Sequence, residues 1–400
     1  MQVLLVIEEH FICDSMNNYY SKRVWNNQLF SKYVDVFESV GVFARVEHVN
    51  CVIKNHSYNM ITNENITFYE IPDYSGPKQL LIKAHEIIRR YKRALLNCDG
   101  VILRAPSPLT LLLYRFTPKE IISATEFMMG ADYFFESDGF ISSFFNKVIN
   151  NEAKKLTKKV NGSLYVTNEA LQNQYPPNNK VYDQDSPLYF TSGASDVQIP
   201  DNFFATSSKI LNCERKFVIA CSGFMDTFRK GQDILIKMVK ILKEQNIIVY
   251  LKLIGDGPKK EELEKLSIDL GINSQIEFIG KVNGKEEMQR QLDSSDMFML
   301  ASKLEGLPRV IIEAIALGLP VVASNVNGNY ELVQKKLLVD DFNPSSYAEK
   351  VKLFINDPSF YNKISEENLK KSREYELKKL TNKREKFYYS MKRCIQNQRN

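Results

Sequence analysis

The chain has 400 residues, a formal net charge of +5, 44% hydrophobic residues and 25% charged residues. Single hydrophobic cores stop growing at roughly 250–300 residues, so two domains are expected. The composition excludes a disordered chain and a bundle of membrane helices, and the charge excess is too weak for a dedicated nucleic-acid-binding domain. No nucleic-acid partner is therefore expected.

The sequence also argues against secretion, membrane insertion and metal binding. Met1–Ile7 is apolar but short, and Glu8 and Glu9 follow it, which indicates a first β-strand rather than a signal peptide. No segment reaches the roughly 18 apolar residues of a membrane span. The cysteines form no C-x-x-C pair and have no histidine at metal-ligand spacing. Core thiols in a reducing cytoplasm and no metal site are expected.

The first half of the chain alternates between strand and helix patterns. Strand patterns occur at Val3–Ile7, Val42–Val49, Val101–Leu103 and Ser163–Val166, and helical patterns at Tyr20–Val40 and Pro77–Leu96. Gln174–Asn202 is rich in Pro, Asn, Asp, Ser and Gly, which predicts an interdomain linker. The first domain is therefore placed at residues 1–195.

The second half alternates more regularly. Strands are predicted at Phe217–Cys221, Val249–Ile254, Ile276–Ile279, Met297–Leu300 and Val321–Ser324, and helices at Gln232–Glu244, Lys259–Leu270 and Pro308–Leu317. Strands that alternate with helices of this length predict a parallel, doubly wound sheet. This domain is placed at residues 203–372. The lysine-rich tail, Phe360–Asn400, has apolar residues at helical spacing and is expected to pack on the body.

A glycine and a basic pair follow the first strand of the second domain. Gly223 permits a tight turn, and Arg229 and Lys230 place positive charge at the start of the next helix. Ligands bind beyond the carboxyl ends of strands in doubly wound sheets, so a diphosphate clamp is predicted here. A solvated basic pair is the alternative.

The next loop is less informative. Gly255-Asp256-Gly257-Pro258 leads from a strand into a helix, as an ordinary connection does. It does not match G-x-G-x-x-G and so counts against a standard dinucleotide fingerprint.

Two glutamates flank a predicted anion site between residues 302 and 314. Pro308 suits the first helical position, so the free amides of the following turn would point toward the strand ends. Glu305 lies before this helix and Glu313 within it. Carboxylates accept hydrogen bonds from vicinal hydroxyls, so one can hold a ribose and the other a hexose, with phosphates between them. For this spacing alone, a surface glutamate pair is the alternative.

Together these segments, from Phe217 to about Asp341, resemble the donor-binding domain of glycosyltransferase family 4, whose members have the GT-B fold. The matching motifs are G-x6-K-G (Gly223–Gly231), I-G-D-G-P (Ile254–Pro258), F-I-G (Phe278–Gly280), S-x-x-E-G-L-P-x-x-x-x-E-A (Ser302–Ala314) and G-L-P-V-V-A-S (Gly318–Ser324). The resemblance implies an α/β fold with two Rossmann-like doubly wound domains facing a central cleft. It also implies that residues 1–195 bind the acceptor and that a helix at about residues 373–400 packs back on them.

The resemblance further implies retaining transfer of a hexose from a UDP- or GDP-linked sugar, with no required metal or cofactor. Lys230 would neutralise the leaving diphosphate, Glu305 would contact the donor sugar, and Glu313 would hold the nucleotide ribose. Arg229 and Arg104 are further catalytic candidates. Backbone amides near residues 307–310 would receive the phosphate. The remaining donor-binding candidates are Gly223, Gly255, Gly257, Ser302, Gly306, Leu307, Pro308, Arg309 and Val310.

The chain departs from the family pattern in three places. Phe224 stands where many members have arginine, and Arg229 is expected to supply that charge. The glycine pair that often follows the first strand is replaced by Phe11–Asn18. Arg104 replaces a histidine near the reacting sugar, which leaves both a ligand contact and a structural salt bridge open. His10 also lies near the expected cleft, either as a participant or as an exposed histidine.

The acceptor is expected to be a glycan or a lipid-linked molecule of envelope polysaccharide or glycolipid synthesis. Basic amphipathic segments occur at Phe144–Val160 and around Arg89–Leu95. They either press on an anionic membrane at the inner face of the cell membrane or are solvated helix faces. Two other functions fit a sugar-nucleotide site: a sugar-nucleotide epimerase, and a non-catalytic sugar-nucleotide-binding partner subunit.

Overall fold

The computed structural model describes residues 1–53, 58–131, 140–178 and 188–399, and in α4 the side chains from residue 143 onward. The chain divides into two compact units. Unit 1 comprises Met1–Ala194 and Asn382–Asn400, and unit 2 comprises Ser195–Thr381. Each unit is an α/β structure with a mainly parallel sheet, so the predicted fold class is confirmed.

The sheet of unit 1 is parallel except at one corner. Its strands among the described residues are β1 (Gln2–Cys13), β2 (Tyr19–Ser21), β3 (Ser39–His48), β4 (Asn59–Ile61), β5 (Ile66–Ile71), β6 (Gly100–Ala105), β7 (Ile122–Phe127), β8 (Gly162–Tyr165) and β9 (Phe190–Gly193). The parallel order is β5-β3-β1-β6-β7-β8-β9, and β2 and β4 add an antiparallel extension beside the last residues of β1. Strands buried on both faces read as continuous apolar runs, as Val3–Ile7 does.

Two helices of unit 1 begin with side-chain caps. The helices of this unit are α1 (Asn27–Phe37), α2 (Gly76–Leu95), α3 (Pro108–Leu113), α4 (Phe140–Lys159) and α5 (Ala170–Gln174). The Asn26 side chain accepts a 2.8 Å hydrogen bond from the Leu29 amide at the start of α1. Ser107 and Thr110 form a reciprocal capping box at α3.

The first strand is longer than its apolar run predicts. β1 continues to Cys13 through a register irregularity between Val6 and His10. Polar residues can continue it because they find partners: Glu8 accepts hydrogen bonds from the Tyr74 hydroxyl and the Leu109 amide. The acidic pair therefore does not end the strand.

The predicted linker also differs from the structure. Residues 190–193 of the predicted segment form β9, which pairs with β8 in the sheet of unit 1. The polar residues of this strand gave no strand pattern in the sequence, because the strand pairs through backbone groups. The Thr191 hydroxyl also donates to the Ser163 carbonyl. Residues 179–187 of the predicted linker lie outside the described residues.

Unit 2 contains a fully parallel six-stranded sheet. Its strands are β10 (Phe217–Ser222), β11 (Val249–Ile254), β12 (Ile276–Gly280), β13 (Met297–Leu300), β14 (Val321–Ser324) and β15 (Leu338–Val339). Its helices are α6 (Gln232–Glu244), α7 (Lys260–Asp269), α8 (Lys285–Asp293), α9 (Arg309–Ala316), α10 (Asn329–Leu332), α11 (Pro344–Asn356) and α12 (Pro358–Ser372). The strand order is β12-β11-β10-β13-β14-β15, the order of a doubly wound fold.

The final helix, α13 (Leu377–Arg399), ends within unit 1. Its apolar face joins the core cluster of that unit through Phe387, Tyr388, Met391, Cys394 and Ile395. The helical spacing of the tail therefore reflects burial on one face.

Within the described part of the chain, no helix combines the length and apolar content that a membrane crossing requires.

Candidate functional site

The strand order of unit 2 locates its ligand edge. From β10 the chain adds β11 and β12 on one side and then returns to add β13 on the other. At such a switch point the loops after the two central strands diverge and leave a crevice at their carboxyl ends. The loops after β10 and β13 carry the basic pair and the first glutamate of the predicted site.

These two loops are joined through their backbones. The Lys303 amide donates a 2.8 Å hydrogen bond to the Arg229 carbonyl. Gly231 has a φ of +72°, and a Cβ at this position would lie 2.2 Å from the Ala301 carbonyl oxygen. Only glycine fits that left-handed, closely packed position. The K-G pair therefore fixes where the Lys230 side chain begins.

Lys230 and Glu305 form an ion pair in the crevice. The Lys230 ammonium donates to Glu305 Oε1 at 2.6 Å, and the side chains are 25% and 8% exposed. The buried Cys221 thiol interacts electrostatically with both members of this pair, and burial raises the pKa of Cys221 to about 12. Because that thiol is neutral near pH 7, the charged groups at this point are the lysine and the glutamate.

Glu313 forms a second ion pair that the sequence did not reveal. Its carboxylate, on α9, accepts from the ammonium of Lys285, the first residue of α8. The Glu313 side chain is 7% exposed and that of Lys285 is 39% exposed. Two nearly buried carboxylates, each with a lysine, thus lie on either side of the start of α9.

The start of α9 differs by one residue from the prediction. Pro308 is the N-cap, with extended backbone, and the helix begins at Arg309. The amides of Ile311 and Ile312 donate to the Pro308 carbonyl. Pro308 therefore accepts the first hydrogen bonds of the helix while its own backbone stays extended. The amides of Arg309 and Val310 lie in the first turn, where a helix supplies no acceptor of its own. These two amides lie where the prediction requires, and anion binding by them stays a prediction.

The glycines of the β11 loop serve a close approach between loops. Gly255 has a φ of +140°, and a Cβ there would lie 2.1 Å from the Gly223 carbonyl oxygen. A Cβ on Gly257 would lie 2.5 Å from Met225 backbone atoms. Gly223 packs against the Lys230 methylenes, where a Cβ would lie 3.0 Å from Cγ. These three glycines allow the loops around the crevice to pack closely, and this structural role does not depend on the ligand.

The remaining predicted positions lie in the same region. The Gly306 carbonyl accepts from the Gly328 amide, and the Asn327 side chain donates 2.6 Å to the Glu305 carbonyl. Ser302 is fully buried, and its Oγ has no hydrogen-bond partner among the described residues. Leu307 is buried beside them. The Arg229 guanidinium nitrogen Nη2 lies 3.7 Å from the Asp226 carboxylate oxygen Oδ2.

The two candidates in unit 1 each contact a carboxylate. Arg104 contacts buried Glu126 at 3.2 Å and lies over the Trp25 ring at 5.1 Å. His10 Nε2 lies 2.7 Å from Asp73 Oδ1. Arg104 therefore forms the structural salt bridge that was one of its two predicted roles.

The expectation that the cysteines are core thiols holds for four of them. Cys13, Cys98, Cys221 and Cys394 are buried, but Cys51 and Cys213 are exposed. Both exposed cysteines lie in polar connecting segments, outside the strands and helices of the described residues. The expectation was therefore wrong for those two residues.

Comparison with known proteins identifies the second unit. Residues 205–371 match the family model described as Glycosyl transferases group 1. These residues form a glycosyltransferase domain, and the chain is an enzyme that acts as a glycosyltransferase. Similarity to Protein CapJ of Staphylococcus aureus extends beyond this domain, at 27% identity over 98% of this chain and 96% of that protein.

Two further comparisons are with a glycosyltransferase of similar sequence and with a solved structure of similar fold. The lipopolysaccharide core biosynthesis glycosyltransferase LpsE of Rhizobium meliloti is 31% identical over 34% of this chain and 39% of its own length. The crystal structure of Anabaena Alr3699/HepE in complex with UDP and glucose is 16% identical and covers 96% of this chain and 97% of that one, with a TM-score of 0.63. This likeness supports the GT-B class for the fold.

Proposed function

We propose that this glycosyltransferase is a retaining family 4 enzyme that transfers a hexose from a UDP- or GDP-linked sugar to a glycan or lipid-linked acceptor. The observation that carries the proposal is the pairing of Lys230 with Glu305 and of Lys285 with Glu313 around the start of α9. A nucleoside diphosphate sugar has the matching sequence of groups, since its diphosphate lies between two sets of hydroxyls.

Each residue then has one task in donor binding. When the bond between the sugar and the diphosphate breaks, negative charge develops on the diphosphate and the Lys230 ammonium stabilises it. The amides of Arg309 and Val310 receive a phosphate oxygen. Glu305 accepts hydrogen bonds from the sugar, and Glu313 accepts them from the ribose. This assignment requires no metal.

The names of the relatives support the proposed acceptor class. LpsE acts in lipopolysaccharide core biosynthesis by name, and the crystal structure of HepE contains UDP and glucose. These names favour envelope polysaccharide or glycolipid synthesis as the setting and a UDP-linked donor as the first to be tested.

Calorimetric titration with UDP, GDP and ADP tests the donor site. One nucleotide should bind selectively, and Lys230→Ala and Glu313→Ala should each weaken it roughly tenfold to hundredfold, the effect of losing a charge-assisted hydrogen bond. Lys237→Ala and Glu264→Ala, which alter surface ion pairs on α6 and α7, should leave the affinity unchanged.

Transfer itself needs a separate measurement. Hydrolysis of the bound sugar nucleotide in the absence of acceptor, lost in Lys230→Ala, would support catalysis. Selective binding without hydrolysis or transfer would favour the non-catalytic partner subunit, and interconversion of the donor sugar would favour an epimerase. Failure of all three nucleotides to bind would remove the basis of the proposal.

We also propose peripheral contact with an anionic membrane at the inner face of the cell membrane through α4. Phe144 and Phe145 are 58% and 49% exposed near its start, beside Lys147. Lys159 takes no part, because its ammonium donates to the carbonyls of Tyr114 and Thr117. Co-sedimentation with vesicles of anionic lipid should fall in Phe144→Ser/Phe145→Ser but not in Ile210→Ser, which removes another exposed apolar residue. Equal co-sedimentation of all three proteins would contradict this contact.

A further inference from the structure

Three potential metal ligands meet at one edge of the sheet in unit 1. Cys13 ends β1, His48 ends β3, and Glu70 is the penultimate residue of β5. The strands are neighbours in the order β5-β3-β1, and Cys13 and His48 are direct partners across the ladder. The Cys13 Sγ atom, a His48 ring nitrogen and a Glu70 carboxylate oxygen all lie within 4.8 Å of one another.

The surrounding contacts already orient the carboxylate. Glu70 Oε2 lies 2.7 Å from His48 Nε2, and Glu70 Oε1 accepts a 2.7 Å hydrogen bond from the Tyr19 hydroxyl. A carboxylate fixed by an outer hydrogen bond while its other oxygen faces an imidazole is a common arrangement in metal sites. Tyr19 is itself held by stacking on Phe68 at 3.9 Å between ring centroids.

The site is accessible from one side. Cys13 is buried, whereas the side chains of Glu70 and His48 are 28% and 57% exposed. An ion can therefore approach from the side of His48 and reach the thiol at the base of the cluster. Because His48 is largely exposed, its ring can move by the short distance that coordination needs without disturbing the core.

We propose that Cys13, His48 and Glu70 bind a zinc ion. One sulfur, one imidazole nitrogen and one carboxylate oxygen form a ligand set suited to this borderline-soft ion, and three protein ligands leave one tetrahedral position for water. Zinc bonds of about 2.0–2.3 Å place tetrahedral ligands roughly 3.3–3.8 Å apart. The three ligand atoms lie within 4.8 Å of one another, so coordination requires small side-chain movements, among them a lengthening of the 2.7 Å contact between His48 Nε2 and Glu70 Oε2.

The ion would tie the ends of three strands together. Cys13, His48 and Glu70 are far apart in the chain, so the site exists only when unit 1 is folded. Zinc bound in this way stabilises the folded state by linkage. The site lies in a different unit from the donor residues and does not depend on the proposed transfer reaction.

Titration of the full-length, metal-free protein with Co²⁺ tests the site, because a thiolate ligand produces a charge-transfer absorption in the near ultraviolet. We expect this band to saturate at one equivalent and to be displaced by Zn²⁺. Cys13→Ser should abolish it, and His48→Ala and Glu70→Gln should each weaken Co²⁺ binding about tenfold or more, as expected for lost metal ligands.

Matched controls use side chains of the same type elsewhere. Cys51→Ser removes an exposed thiol and His85→Ala an exposed histidine, and neither should change the band. His48→Ala is also a safeguard against misfolding, since this largely exposed side chain contributes little to the core. Absence of the band in the wild-type protein, its retention in Cys13→Ser, or an unchanged Co²⁺ affinity in His48→Ala would overturn the proposal.

Discussion

At the scale of single residues, the proposed donor site of unit 2 is an arrangement of charges that balance in pairs. Glu305 and Glu313 are both nearly buried, and a buried carboxylate without a partner is costly. Lys230 and Lys285 supply those partners. The same two ammonium groups add positive charge to the region in which a diphosphate is proposed to bind.

Lys285→Ala should weaken nucleotide binding. The substitution removes one positive charge and leaves Glu313 unneutralised, so an anionic ligand meets a more negative site. At an effective dielectric constant of about 20, a charge roughly 8 Å away contributes on the order of 2 kcal/mol, or about thirtyfold in affinity. Calorimetry with the selected nucleotide measures this change.

Lys285→Arg is the matched variant and should retain most of the affinity because it keeps the charge. Lys281→Ala removes a cation from the loop before α8 and should have a smaller effect. Tighter binding by Lys285→Ala would show instead that this lysine competes with the nucleotide for Glu313.

The site residues differ in how far the sequence could reveal them. Lys230, Glu305 and Glu313 lie in two continuous motifs, so their spacing along the chain carries the signal. Lys285 begins an ordinary charged helix, and only the fold brings it to Glu313. The cluster of Cys13, His48 and Glu70 is hidden for the same reason, because its members come from three separate strands.

At the scale of elements, prediction succeeded where burial and apolar sequence coincide. The helix at Gln232–Glu244 and the strands at Val249–Ile254, Met297–Leu300 and Val321–Ser324 have the predicted bounds. β7 was missed because Ser123, Thr125 and Glu126 interrupt its apolar pattern, although every residue of this strand is buried. Tertiary hydrogen bonds, which a local pattern does not contain, make that burial tolerable.

Glu126 shows how a polar strand residue joins two elements. Its carboxylate accepts hydrogen bonds from the Tyr33 hydroxyl on α1 at 2.8 Å and the Tyr388 hydroxyl on α13 at 2.6 Å. Burial, together with the negative charge of Glu126, raises the pKa of Tyr388 well above its ordinary value, so its hydroxyl remains a donor. One strand residue thus helps to fix both helices.

Tyr388→Phe should therefore destabilise unit 1 by about 1–3 kcal/mol, the usual result of removing one partner from a buried polar group. Urea unfolding followed by circular dichroism measures the change. Tyr389→Phe is the matched control, because the adjacent tyrosine is 48% exposed and should tolerate the loss of its hydroxyl. Equal stability of the two variants would mean that the hydrogen bond from Tyr388 contributes nothing measurable.

At the scale of the whole molecule, the two units differ in how they use the chain. Unit 2 is one continuous segment, whereas unit 1 is completed only by residues after Thr381. The helical pattern of the tail was readable in the sequence, but the pattern alone does not name the surface that receives it. Gly100 on β6 marks part of that surface, because a Cβ there would lie 2.7 Å from the end of the Ile395 side chain.

Ending the chain at Thr381 should unfold unit 1 and spare unit 2. The truncation removes five core side chains, Phe387, Tyr388, Met391, Cys394 and Ile395. At about 1.5–3 kcal/mol for each large apolar side chain, their loss is comparable with the roughly 5–15 kcal/mol that stabilises a typical domain. Unit 2 keeps all six strands of its sheet.

Limited proteolysis and titration with the selected nucleotide distinguish the two units in the truncated chain. Cleavage should concentrate before residue 195, while nucleotide affinity remains within a few-fold of the full-length value. Tyr389→Ser in the full-length chain, which alters only an exposed side chain of α13, should leave proteolysis unchanged. A truncated protein that resists cleavage before residue 195 would show that unit 1 folds without α13, because the remaining sheet and helices would then suffice to bury its core.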